Sequence, residues 1–188
     1  MTRRAHILPV AAALAMVSGP VLAQSVEAPA RPLAFNGVAA PGCIMQAPSS
    51  PSSSNASVTS VAPGAADILF GQLVGEDGVP VGATVVLTVP AACNQAHVLT
   101  LASTSGGLAN LDGTPVGGPF RALLPYVATV TWGVESETYD SANPPLTIPH
   151  GDAAVGSITV IIEIPAGGAP LVAGAYSDQL VLELAAAG

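Results

Sequence analysis

The chain has 188 residues, with 4 lysines and arginines against 12 aspartates and glutamates, a formal charge of −8 and only 9% charged residues. So few cations leave no basic surface for phosphates, which excludes nucleic acid as a partner and anionic lipid with it. Ser, Thr, Ala and Gly stand where a soluble domain normally carries charge, which fits either burial on several sides in an assembly or a hydroxyl-rich extracellular surface.

Residues 1–23 read as a secretory signal peptide. Arg3 and Arg4 open it, Ile7 to Val17 is a short apolar run, and Val21-Leu22-Ala23 offers small residues to a signal peptidase before Gln24. The run is too short for a stable membrane anchor, and no later stretch of about 18 apolar residues follows, so no membrane insertion of the mature chain is expected. The mature chain, 24–188, keeps only Arg31 and Arg121 against the 12 acids, a net charge of −10. Its length suits one domain.

Residues 24–42 are rich in Pro and Ala and read as an extended N-terminal arm, in which Leu33, Phe35 and Val38 are the large apolar residues. Cys43 follows. Residues 46–64 are mostly Ser, Ala and Pro and are expected to be a flexible loop.

Strand signals then come in series. Ala66–Gly71 is short and apolar. Gly82–Pro90 alternates Val85, Leu87 and Val89 against Thr84, Val86 and Thr88, and Val98–Ser103 alternates again. Ala122–Trp132 is long, with Pro125 marking an edge position or a bulge. Leu146–Ile148 is brief, and Gly156–Ile164 is rich in Val and Ile. Tyr176–Ala185 is entered through a Gly-Ala-Tyr turn, with Leu180, Leu182 and Leu184 on one face and Gln179, Val181 and Glu183 on the other. No mature segment has a helical period. Seven or so short strands joined by Gly, Pro, Asn and Asp turns predict an all-β fold, a β-sandwich. Phe70, Leu87, Leu101, Trp132, Ile161, Leu180 and Leu182 are its expected core. An apolar final strand exposes backbone donors and acceptors on any side where nothing pairs with it, so its edge needs a cover.

Cys43 and Cys93 both fall in the exported part, where the default is one disulfide. Closing a loop of about 50 residues stabilises by roughly 4 kcal/mol on the chain-entropy model. Residues with catalytic or ligating chemistry are sparse. His97 and His150 lack a second ligand at metal spacing and are read as solvated loop histidines. Glu135, Glu137 and Asp140 are read as an acidic loop without the residue order of a calcium site. Asn55-Ala56-Ser57 matches a glycosylation sequon but is read as loop. Trp132 and Tyr126 share strand parity and are assigned to the core rather than to a sugar-binding platform with Tyr139. No G-x-S-x-G context appears. No catalytic residue, metal or cofactor is expected, and the chain is not read as an enzyme.

Several pieces in order resemble the spore coat protein U family, whose members look like archaic chaperone–usher pilus subunits. They are Cys43-Ile44, then Ile68-Leu69-Phe70-Gly71, then the strand from Val85 to Cys93, then Leu124-Pro125-Tyr126, then the G-x-Y-S-D tail followed by alternating apolar residues. The resemblance spans roughly residues 43–186. It implies an immunoglobulin-like sandwich domain, 43–188, that lacks its last strand and is completed by a neighbouring subunit's N-terminal extension. On it, Leu33, Phe35 and Val38 are donor-strand candidates, and Leu180, Leu182 and Leu184 flank the acceptor groove. It further implies export through the periplasm with a chaperone and an outer-membrane usher, and polymerisation with other subunits into a surface pilus serving adhesion and biofilm. The arm departs from the family pattern, because Pro41-Gly42 interrupts it and Pro29 and Pro32 remove backbone donors. The alternatives are a tip adhesin or a monomeric secreted binding module, for instance for carbohydrate.

Overall fold

In the computed structural model, residues 36–113 and 116–187 are described. Every regular element among them is a strand: β1 (Cys43–Met45), β2 (Ser49–Ser54), β3 (Ala56–Ala62), β4 (Ala65–Phe70), β5 (Ala83–Cys93), β6 (His97–Ser103), β7 (Leu108–Asn110), β8 (Leu123–Leu124), β9 (Val127–Trp132), β10 (Glu135–Asp140), β11 (Leu146–His150), β12 (Ala154–Ile164), β13 (Tyr176–Ser177) and β14 (Leu180–Ala186). The chain divides into a unit ending at Val38 and a unit from Ala39 onward, and all fourteen strands belong to the second. The segment read as a secretory signal, and the donor candidates Leu33 and Phe35, lie outside the described residues. Residues 36–42 have no strand structure and are exposed, Val38 almost fully, at 99%.

The arrangement is sandwich-like and antiparallel. The main sheet has the order β1-β5-β12-β9-β10, with β2 also pairing β5. Its long strands are β-branched and alternate, so every second side chain enters the core. Val85 and Val89 of β5, Val130 and Trp132 of β9, and Ile158, Val160, Ile162 and Ile164 of β12 are buried. A three-stranded sheet, β11-β6-β14, contributes Leu99 and Leu101 to the same core. Smaller sheets, β13-β7-β8 and β3-β4, complete the fold. The disulfide joins Cys43 to Cys93, which face each other in the β1–β5 ladder.

Two expectations for loops are corrected. Residues 49–54 and 56–62 are strands: β2 lies along β5, and β3 forms a hairpin with β4. A neighbour's backbone satisfies their ladder bonds, so Ser can occupy exposed positions without apolar alternation. Residues 135–140 are strand β10, paired along its whole length with β9. Of the expected core residues, Leu101 and Trp132 are buried. Ile161 is only half-buried, because the inward parity of β12 runs through Ile158, Val160, Ile162 and Ile164. Phe70, Leu87, Leu180 and Leu182 face the core but are also half-buried.

The predicted strand 122–132 divides at Pro125 into β8 and β9. Alternate burial nevertheless continues through the break, from Leu124 and Tyr126 to Ala128, Val130 and Trp132. Proline removes one ladder donor without changing the side-chain parity.

Four of the free edges differ in chemistry. β2 contains Pro51, β11 contains Pro149, and β10 carries Glu135, Glu137 and Asp140. β14 has no proline and one acid, Glu183.

Candidate functional site

The final strand is set by its own sequence. Leu180, Leu182 and Leu184 alternate with Val181, Glu183 and Ala185, so one face is apolar. The β6 register fixes which face turns inward: Leu182 lies opposite Leu101 and Leu184 opposite Leu99, and both partners are buried. Leu180, Leu182 and Leu184 pack against the core but stay half-buried, whereas Val181 and Glu183 are exposed. Among the described residues no strand ladder runs along the other side of β14. The result is seven residues of unpaired edge beside a partly covered apolar face.

Both ends of the strand are fixed to the β6 side. At its far end the Ala187 amide donates to the Ala96 carbonyl at 2.8 Å, and the Gln95 side-chain amide donates to the Ala187 carbonyl at 3.1 Å. At its near end Asp178 accepts from the Tyr126 hydroxyl at 2.7 Å, the Ser105 amide at 2.9 Å, the Thr104 hydroxyl at 3.1 Å and the Ser103 hydroxyl. Ser103 Oγ accepts in turn from the Gly106 and Gly107 amides, and the Tyr139 hydroxyl accepts from the Ser103 amide at 2.8 Å. Partial burial pushes the Asp178 carboxyl up, but the hydrogen bonds from Ser103, Tyr126, Gln179 and Ser105 outweigh it and hold the group below its ordinary range. Burial, then the bond to Asp178, push the Tyr126 phenol well above its ordinary range. This network closes the turn that leads from β13 into β14 and ties it to the end of β6.

The entry turn is equally specified. The Ala175 amide donates to Asp112 at 2.9 Å and the Leu111 amide to the Ala175 carbonyl at 2.8 Å. Gly174 has φ 145°, and a β-carbon there would collide with Asn110 and Asp112.

The other candidate residues are placed differently from the sequence reading. His97 is fully buried and His150 nearly so; neither is a solvated loop histidine. Their rings stack with centroids 4.8 Å apart, and Trp132 lies 4.6 Å from the first and 5.2 Å from the second. Both are strand residues facing each other in the β6–β11 ladder, a pairing that the few apolar residues around them did not signal. Among the described residues no group of three or more His, Cys, Asp or Glu is placed to hold a metal ion. Tyr126, Trp132 and Tyr139 are buried, so they form no exposed platform for a sugar ring. Asn55 donates through Nδ2 to Gln72 at 2.6 Å and accepts from the Gln72 amide at 2.8 Å. Its side chain is a turn element between β2 and β3.

No protein-family model, curated protein or solved structure matches the chain.

Proposed function

We propose that this chain is a structural subunit of an extracellular pilus or surface fibre, with an immunoglobulin-like sandwich that is completed by a donor strand from another subunit. The observation that carries the reading is the unpaired edge of β14 beside three inward leucines that remain half-buried. A β-strand left this way gains both ladder hydrogen bonds and apolar burial when an extended segment is added. The exposed segment 36–42 supports the donor role, because among the described residues it joins no strand ladder and is held only by Asn94 at Ala40 and Gly42. Leu33 and Phe35 are spaced two apart, so a strand through them directs both into one groove. Burying two such side chains contributes roughly 3–6 kcal/mol. On this reading the protein is exported through the periplasm, held there by a chaperone, passed to an outer-membrane usher and polymerised at the cell surface, where the fibre supports adhesion and biofilm.

The test is deletion of residues 25–40. The shortened protein should still accept a donor but not supply one, and mixing it with intact protein should cap growing fibres. Multimer length by electron microscopy and by unheated gel decides the point. Assembly as long as that of intact protein would remove the arm as donor and favour a self-contained secreted module.

A further inference from the structure

We propose that the His97–His150 pair is an acid-sensitive latch that holds the end of β14 closed at neutral pH and releases it on protonation. This inference is independent of the fibre reading. The proton inventory is fixed by the partners. His97 Nδ1 lies 2.9 Å from the Gln95 carbonyl, which can only accept, so the ring carries its proton there. His150 Nδ1 lies 3.2 Å from Glu135 Oε2 and likewise donates. The Nε2 atom of each ring is therefore the lone-pair nitrogen of the neutral form, and both Nε2 atoms are buried with no partner. Protonation would place two new N–H donors where no acceptor stands, and two like charges in rings stacked at 4.8 Å.

Only one countercharge faces the pair among the described residues. It is Glu135 of β10, bound to His150. From β9 the pair meets Trp132. Against His97 and Trp132, β14 sets Ala186 and β12 sets Ile158, none of which titrates. Glu137, Asp152 and Glu183 lie on or next to these elements but are exposed. One carboxylate cannot neutralise two imidazolium rings, so the doubly protonated corner is stable only when water enters it. His97 is the middle residue of the row His150–His97–Ala186. Opening that row breaks the ties from Ala96 and Gln95 to Ala187 and frees the end of the final strand.

Trp132 is the chain's one tryptophan, so the latch has a built-in fluorophore. On acidification of the purified protein from about pH 7.5 to about pH 5, Trp132 emission should change and amide protection factors at Leu184–Ala187 should fall by about tenfold or more. In His97→Phe/His150→Phe, which keeps two stacked rings without the protons, both changes should vanish. Glu135→Gln removes the countercharge and should move the transition to higher pH. A response preserved in the double variant, absent in the wild type, or moved to lower pH by Glu135→Gln would overturn the latch. Should the double variant not fold, ring-nitrogen NMR on the wild type decides. Ring protonation that coincides with lost protection supports the latch, and ring protonation with protection unchanged overturns it.

Discussion

Asp178 ties the start of β14 to the end of β6 through side chains that are themselves partly buried. Removing it leaves the Tyr126 and Ser103 hydroxyls and the Ser105 amide without their acceptor. Asp178→Ala should therefore lower stability by about 1–3 kcal/mol, read from denaturant midpoints at unchanged slope. The carboxyl is held below its ordinary value of 3.8 when folded. Its contribution is full above that value and disappears as pH falls through the lower folded value. The wild type should thus lose stability in strong acid, and Asp178→Asn should lose that part of the acid dependence. The neutral form of Tyr126 is favoured in the fold, so its contribution is present below the ordinary value of 10.0 and fades above it. Gly107 is constrained by space as well as by angle. Its φ is 130°, and a β-carbon would lie 2.7 Å from the Leu124 carbonyl oxygen. Gly107→Ala should cost about 1–3 kcal/mol from the backbone alone, checked by thermal melting.

At the scale of elements, the final strand offers a contrast between two adjacent residues. Leu182 points at the core and Val181 at solvent. Leu182→Asp should reduce stability by several kcal/mol, because an unpaired carboxylate is forced against Leu101 and its neighbours. Val181→Asp should change it by less than about 1 kcal/mol. Equal losses in melting temperature for the two variants would mean that the strand faces are assigned wrongly. Strand-by-strand reading worked where alternation is strong, as in β5, β6 and β14. It failed at β2, where Ser49–Ser54 has no apolar face and its strand character comes from the long-range partner β5. It failed at β10 for a similar reason. Glu135 and Glu137 share the inward parity of Tyr139, yet they are exposed on an edge strand, so charge masked a strand that a tight turn at Gly133-Val134 pairs with β9. The apolar face of the candidate site was legible in Leu180, Leu182 and Leu184. The Asp178 network and the histidine pair were not, since each joins residues from several distant segments.

For the molecule as a whole, the disulfide spans 50 residues and joins opposed positions at one end of the main sheet. Cys93→Ser should lower stability by roughly 4 kcal/mol, judged by thermal denaturation of the oxidised wild type against the variant. Alkylation of the unreduced wild type should modify no thiol, since both cysteines are bonded.

The unequal treatment of the sheet edges has a consequence for how copies of the molecule can join. Pro51 and Pro149 interrupt two edges, and the acids of β10 repel approach along a third. Of these four edges, β14 alone carries neither a proline nor a row of acids against pairing. On the proposed donor-strand reading, each chain makes one outgoing and one incoming contact at this edge, and the join is head-to-tail. Copies joined in this way grow into unbranched threads.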